Sequence, residues 1–435
     1  MNALAIGSGA VVALMALLVL GLPVAFSLAL VGAAGLWLLG GIPLAGNFLA
    51  TEPYSNVASF TLVVIPMFVL MGELAVAAGM AQQAYTTARA WLGRLPGGLM
   101  MAAIGASTIF AAVSGSSVAA TTTIGRVSIA EMRRNGYDGG IAAGTVAVAG
   151  TLSALIPPSA FLVFYALIAD QSISRMLMAG VGPGLLSAGL FILVAYLTAR
   201  WFPRLAPVHP DRIGWKERIS SLGMTAPFGI LVLVVLGGIY TGLVTVTEAA
   251  ALGALAALAL VAAARRLSWS TLGQALAATA RTSAMIFLII VGGVIFSRFL
   301  AFSGVPFALV AFIQSLDVSP LTVVVVMLVI LTVLGMFIDP VGMVMLTLPF
   351  FFPIVQDLGI DPVWFGVLVV LQAELGVITP PIGIHLFVVK QIAPDVPLSG
   401  IIRGILPFMI CQISVVALVL LFPKIALWLP GMMQH

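Results

Sequence analysis

The sequence predicts an all-α integral membrane protein with two inverted repeats, each containing a re-entrant hairpin and a helix broken by a proline pair. Of the 435 residues, 62% are hydrophobic and only 7% are charged, whereas a soluble domain carries about 25% charged residues. Apolar stretches of roughly 18 to 25 residues, each long enough to span a bilayer, follow one another along the chain. This composition leaves no room for a sizeable soluble domain.

The two proline pairs, Pro157-Pro158 and Pro380-Pro381, lie 223 residues apart. The same offset places Gly136-Tyr137-Asp138 on Gly359-Ile360-Asp361. A proline inside a membrane helix frees backbone carbonyls, which then need another partner. Paired interruptions at matching places in two halves indicate the binding site of a secondary transporter.

The N-terminal apolar stretch, residues 4–40, is predicted to form two helices divided at Gly21-Leu22-Pro23. It is too long for a cleaved signal peptide and has no basic leader. The single cysteine, Cys411, excludes an internal disulfide.

The most polar stretch, Arg200 to Arg218, predicts a central cytoplasmic loop at 200–223, because basic residues favour the cytoplasmic side. Two helices, at about 224–241 and 247–264, then return the chain to a second basic pair, Arg265-Arg266. The basic residues are spread over several loops, which indicates membrane topology and not nucleic-acid binding.

Working outward from that loop, segment 98–135 is a hairpin entered from the cytoplasm. Segment 319–357 is a matching hairpin entered from outside. Hairpins on opposite faces predict inverted repeats, the arrangement that permits alternating access.

Residues 80–97 and 267–281 are amphipathic, with Trp91 and Trp269 beside basic residues. Such helices lie at the membrane interface, and their places before the hairpins suggest arms joining a moving unit to a frame. Plain surface helices are the alternative. The predicted division of the chain is scaffold helices at 1–79, an arm at 80–97, a first-repeat transport region at 98–178, scaffold helices at 179–266, a second arm at 267–281, a second-repeat transport region at 282–403 and a C-terminal helix at 404–435.

The first candidate site is the hairpin tip Ser114-Gly115-Ser116-Ser117, opposite the Pro157-Pro158 break. Hydroxyls and carbonyls from an unwound turn make a neutral oxygen cage that suits Na⁺. The alternative is that these small residues only pack helices together.

The second candidate site gathers Gly335, Asp339-Pro340, Gly376 and Thr379-Pro380-Pro381. Gly376 and Thr379 are one turn apart and share a helix face. Asp339 either neutralises a cation or caps a half-helix, as Ser116 would in the first repeat; capping is favoured. The nearby Glu374 is left open as an ion ligand, a proton acceptor or the partner of a neighbouring helix.

Half-helix N-termini favour an anionic substrate, and carrying a carboxylate requires co-transported cations. Two equivalent cages predict at least two. Asp138 and Asp361 are predicted N-caps, His385 a packed or polar-network residue, and Lys390 an interface anchor.

No enzyme motif is evident. The three histidines, His209, His385 and His435, lack metal-ligand spacing, and there is no Walker loop. An intramembrane enzyme acting on a lipid and a channel are therefore disfavoured, and a self-sufficient dicarboxylate or citrate symporter is the main alternative within transport.

The motifs at Ser114–Ser117, Ile156–Ser159, Gly335–Pro340 and Gly376–Gly383 resemble those of the large membrane subunit of TRAP transporters, the tripartite ATP-independent periplasmic carriers, DctM type. The resemblance covers essentially the whole chain. It implies an elevator mechanism in the bacterial inner membrane, driven by Na⁺ and without an organic cofactor. It also implies two partners, a separate small four-helix membrane subunit and a periplasmic protein that delivers an organic acid.

The resemblance also implies site residues. One Na⁺ site would use Gly335, Gly376, Thr379 and Ile382, and its first-repeat counterpart would use Ser114, Gly115, Ser116, Ser117, Ser153 and Ser159. Substrate and hairpin-tip positions would be Asp339, Pro340, Pro157, Pro158, Pro380 and Pro381.

Overall fold

A computed structural model describes residues 2–208, 214–316 and 318–433, and these residues form helices and connecting turns. Eight of the helices within these ranges are long and apolar enough to cross a membrane, which confirms the predicted all-α membrane class. The helices are α1 Ala3–Val19, α2 Val24–Val57, α3 Val64–Ala78, α4 Met80–Leu92, α5 Gly98–Ser114, α6 Ser117–Arg134, α7 Gly139–Thr151, α8 Ala160–Ile168, α9 Ile173–Trp201, α10 Trp215–Tyr240, α11 Val246–Ala263, α12 Trp269–Ser303, α13 Val305–Ser315, α14 Pro320–Gly335, α15 Pro340–Asp357, α16 Pro362–Gly376, α17 Ile384–Ile392, α18 Leu398–Leu421 and α19 Lys424–Leu427, with 3₁₀ turns at Phe60–Val63, Leu152–Ala154 and Pro430–Met432.

The predicted hairpins and broken helices are all present. Helices α5 and α6 form the first hairpin and α14 and α15 the second, while α7–α8 and α16–α17 are the two broken helices. The caps of equivalent helices keep the sequence offset: Asp138 and Asp361 lie 223 residues apart, as do Ser116 and Asp339. The same succession of elements therefore occurs twice along the chain.

The prediction of a separate arm at 267–281 is wrong. Residues 269–281 are the first part of α12, which continues to Ser303 without a proline or a left-handed glycine to break it. The element that matches α4 is α13, since each follows a left-handed glycine, Gly79 or Gly304, at the end of a long helix. Amphipathicity marked a polar helix face in both places, but it did not show where the helix ended.

Other predicted boundaries also shift. Helix α10 begins at Trp215, so the predicted loop 200–223 is shorter, and Glu217 lies in the first turn, where an acidic side chain is favourable. Residues 209–213, including His209 and Arg212, lie outside the described ranges. The predicted boundaries at 179 and 404 fall inside α9 and α18, because these helices start at their caps and not where the hydrophobic run begins.

Helix α4 of the first half lies against elements of both halves. Its Thr87 hydroxyl donates to the Ser221 carbonyl of α10 at 2.8 Å, and Trp91 packs edge-to-face on Trp215 with ring centroids 6.3 Å apart. On another side, Arg89 forms a 2.7 Å ion pair with Glu131 of α6. Helix α4 therefore connects α10 to the first hairpin.

The helices of the two breaks form the interior of the protein. Every residue of α7 from Gly140 to Thr151 is buried, as is every residue of α16 from Val363 to Gly376. Helices α7 and α18 approach at backbone distance, because a Cβ on Gly144 would lie 2.5 Å from the Gly404 carbonyl carbon. Small residues permit this approach and bring α18 of the second half against the break of the first.

Candidate functional site

The first hairpin tip is set by a glycine and a serine. Helix α5 ends at Gly115, whose φ of 61° is the left-handed conformation that glycine adopts without strain. Ser116 is extended and caps α6, its hydroxyl accepting from the Ala119 N–H at 3.4 Å. The sequence therefore specifies both the end of one helix and the start of the next within two residues.

This tip lies directly against the first break. The Ala160 N–H donates to the Gly115 carbonyl at 3.4 Å, and a Cβ on Gly115 would come within 2.9 Å of the Pro158 carbonyl oxygen. The Ser159 hydroxyl bridges the break by donating to Ala154 O at 2.7 Å and accepting from Leu162 N at 3.2 Å. The Ser153 hydroxyl is buried without a partner among the described residues.

The second tip repeats this design. Asp339 caps α15 by accepting from the Gly342 N–H at 3.0 Å, so the capping interpretation is confirmed. The Gly383 N–H donates to the Met336 carbonyl at 3.3 Å. Gly383 lies 223 residues after Ala160, and the two bonds join tip to break in the same way.

Two helix C-termini meet at the second site. A Cβ on Gly376, the last residue of α16, would lie 2.6 Å from Gly335 Cα, at the end of α14. The Thr379 N–H donates to Gly376 O at 2.9 Å, and its hydroxyl donates to Leu375 O at 2.6 Å. Ile382, at the outer side of the break, is 40% exposed. The structure thus brings Gly335, Gly376 and Thr379 together, with Ile382 next to Gly383.

A cavity of about 200 Å³ joins the two hairpin tips. One wall is formed by α3 and α12, and the other by the tips with the ends of the broken helices. The predicted residues that line it are Ser114, Gly115, Ser116, Ser117, Asp339 and Pro340. The remaining predicted residues are not part of its lining: Ser153, Ser159, Gly335, Gly376, Thr379, Ile382 and the four prolines of the breaks.

The cavity also contains residues that sequence reasoning missed or left open. Glu73 of α3 was missed, although a carboxylate in an apolar span is a functional signal; it is half-buried. Glu374 and His385 line the same cavity and are 1% and 0% exposed. Among the residues that line this cavity are three carboxylates and a histidine, but no lysine or arginine.

Several smaller predictions are also settled. The His385 Nδ1 lies 2.9 Å from Ala147 O and 3.4 Å from Thr121 Oγ1, which confirms a polar-network histidine. Asp138 and Asp361 each accept two N–H bonds at the start of a helix, which confirms both caps. The Lys390 ammonium donates to the Pro394 and Val396 carbonyls at 2.7 Å each, so it closes the end of α17.

Residues 11–425 match the family described as the tripartite ATP-independent periplasmic transporter, DctM component. The chain belongs to this family. It is 35% identical to the C4-dicarboxylate TRAP transporter large permease protein DctM of Pseudomonas aeruginosa, over 88% of this chain and 89% of that protein. It is 32% identical to the sialic acid TRAP transporter large permease protein SiaM of Vibrio cholerae, over 97% of this chain and 98% of that protein.

Among solved structures, this DctM-family chain is similar to the YdaH transporter of Alcanivorax borkumensis, with a TM-score of 0.60 and 16% identity. The match covers 89% of this chain and 90% of that one, and at this identity it shows a shared fold alone. The chain is thus a multi-pass TRAP large permease subunit and not an enzyme. Its family is tripartite by name.

Proposed function

We propose that this chain is the transport subunit of a Na⁺-coupled carrier that imports a small organic acid by an elevator movement. The observation that carries the proposal is the arrangement of helix ends around the tips. The N-termini of α6 and α15 line the cavity, and helix N-termini attract anions. A carboxylate is held there by helix ends in a cavity whose lining has no basic side chain.

The cation is bound behind the cavity. The C-termini of α14 and α16 meet at Gly335 and Gly376, and helix C-termini carry partial negative charge. Interrupted helices with oxygen ligands are how transporters hold Na⁺, and hard cations prefer oxygen. The first repeat supplies the counterpart at Ser114–Ser117, Ser153 and Ser159, so at least two ions accompany the substrate.

The elevator proposal follows from how the helices group. Helix α2 packs along α12, where Arg298 and Glu52 form a 2.9 Å ion pair, and α3 packs on α11. These form the scaffold. The hairpins and broken helices are joined to one another by the tip-to-break bonds and move as a unit, with inverted repeats exposing the cavity to each side in turn.

We further propose that the chain lies in the bacterial inner membrane with a small four-helix subunit and a periplasmic binding protein. Names of its relatives support an organic acid as substrate, since they transport C4-dicarboxylates and sialic acid. A self-sufficient symporter is the second candidate, and it differs by needing no binding protein.

Uptake into proteoliposomes tests the proposal. The chain, its small subunit and its binding protein are reconstituted, and an inward Na⁺ gradient is compared with a proton gradient, each with and without the binding protein. We expect uptake only with both Na⁺ and the binding protein. Uptake without the binding protein would establish the symporter, and uptake driven by protons alone would refute Na⁺ coupling.

A paired variant tests the Na⁺ site. In Thr379→Val we expect the Na⁺ concentration for half-maximal uptake to rise at least about 10-fold, because removing a ligand costs more than 1.4 kcal/mol. Thr347→Val is the control, since the buried Thr347 hydroxyl also bonds its own helix, to Met343 O at 2.8 Å, away from both breaks. Equal Na⁺ dependence in the two variants would remove Thr379 from the site.

A further inference from the structure

The walls of the cavity hold hydrogen-bond acceptors that the protein does not satisfy. His385 is the clearest case. The Ala147 carbonyl, 2.9 Å from its Nδ1, can only accept, so Nδ1 carries the ring proton. In the neutral ring Nε2 is then an acceptor, and it is buried without a partner among the described residues.

Glu374 supplies a second acceptor in the same cavity. Its Oε2 is buried and likewise has no hydrogen-bond partner in the described part of the chain. Because His385 Nε2 is also unpartnered, the two groups do not bond each other. A buried acceptor without a donor costs free energy, so both positions favour a ligand that brings donors.

Glu73 is the acceptor that a ligand meets first. It lies on α3 in the opposite wall and is only half-buried, and no described residue pairs with its carboxylate. Asp339, the third carboxylate, is already engaged as the α15 cap. Glu73 in one wall, with Glu374 and His385 deeper in the other, therefore leaves acceptors on both sides of the cavity.

The chemistry of these acceptors narrows the ligand. Imidazole nitrogen suits transition metals, whereas Na⁺ prefers oxygen. No group of His, Cys, Asp and Glu in the described ranges is arranged to hold a metal ion. The donor is therefore an O–H or N–H group on the transported molecule.

We infer that the substrate is an organic acid that also carries a hydroxyl or ammonium donor, bound by Glu73 and then by Glu374 and His385. The inference rests on the proposed function and refines its substrate class. The carboxylate lies at the N-termini of α6 and α15, and the donor faces the acidic side of the cavity. An unsubstituted acid of the same length leaves these acceptors unpaired and binds more weakly.

Direct binding to the purified membrane subunits tests this without the selectivity of the binding protein. Two matched panels are titrated in Na⁺ buffer: malate, aspartate and succinate, then lactate, alanine and propionate. Within a panel the ligands differ only by a hydroxyl, an ammonium or neither. We expect the hydroxy or amino acid to bind at least about 10-fold more tightly than the unsubstituted acid, the factor expected for hydrogen bonds to a charged group.

Variants separate the two donors. Glu73→Leu should abolish the preference for either donor, whereas Glu73→Gln, which keeps an acceptor but removes the charge, should reduce it mainly for ammonium. Glu374→Gln should reduce it in the same direction. Glu217→Leu, on α10 and outside the cavity lining, is the control and should leave the preference unchanged.

Equal or tighter binding of the unsubstituted acid, binding of no panel member, or an unchanged preference in Glu73→Leu would overturn the inference. Failure of the proposed function would look different. It would show as uptake without Na⁺ dependence in proteoliposomes, whatever the ligand preference in binding.

Discussion

Gly376 and Gly335 show how tightly single residues determine the second site. Their backbones touch because neither has a side chain, and this contact holds the ends of α14 and α16 together. The glycines were predictable as site residues from their position beside the proline pair. Their contact with each other was not, because it joins residues far apart in sequence.

Gly376→Ala should destabilise the protein. The new Cβ would lie 2.6 Å from Gly335 Cα and 2.7 Å from its carbonyl carbon, both backbone atoms that cannot rotate away. Overpacking of this kind costs about 1–3 kcal/mol, so we expect a clearly lower Tm in detergent.

Gly189→Ala is the matched control. Gly189 lies within α9, and no atom of a neighbouring element lies within 4 Å of the position that a Cβ would take there. Alanine also favours helix over glycine by about 1 kcal/mol, so the Tm of this variant should be unchanged or higher. Equal Tm values for the two variants would contradict the close contact at Gly376.

At the scale of elements, helix caps were predictable and helix extents were not. Asp138, Asp361, Ser116 and Asp339 act on N–H groups two or three residues away, so the local sequence suffices to identify them. The true counterpart of α4 was missed because two amphipathic stretches look alike whether or not the helix continues. Only the left-handed glycines at 79 and 304 distinguish α4 and α13.

An ion pair joins two of these elements. Arg133, in the last turn of α6, pairs with Asp395 in the loop between α17 and α18 at 2.5 Å. It links the first hairpin to the end of the second broken helix. The hydrogen bond from Arg133 lowers the pKa of Asp395 below its ordinary value of 3.8.

The lowered pKa fixes the sign of a pH effect. The pair contributes stability above pH 3.8, where the unfolded carboxyl is already ionised, and loses it as pH falls through the lower folded-state pKa. Asp395→Asn should therefore lower the Tm slightly at neutral pH and make no difference in strong acid. Both side chains are largely exposed, so the effect is small.

Thermal unfolding from pH 7 downward checks this expectation. Asp170→Asn serves as control, because Asp170 is exposed and its carboxylate has no partner among the described residues; asparagine also tolerates its φ of 51°. A Tm difference for Asp395→Asn that persists in strong acid would contradict the pairing.

At the scale of the whole molecule, the two hairpins enter from opposite faces on the predicted map yet their tips line one cavity. The sequence showed both tips, but it could not show that they meet. The cavity lies along residues 69–76 of α3 and 282–286 of α12, next to Arg281 and therefore towards the predicted cytoplasmic side.

Cysteine labelling tests this arrangement. Val118→Cys and Val341→Cys each place a thiol in the cavity lining, one on each hairpin. In one conformation both should react with a membrane-impermeant thiol reagent from the same side, which we expect to be the cytoplasm. The native Cys411 is buried and should stay unreactive. Labelling of the two positions from opposite sides would contradict a shared cavity.

The contact of α7 with α18 also bears on biosynthesis. Helix α7 is the most deeply enclosed helix of the first half, and part of its covering surface is α18, more than 200 residues later. A ribosome releases α7 into the membrane long before α18 exists. The nascent first half therefore waits with its glycine face against lipid or another helix, and that face is closed by one of the last segments to be inserted.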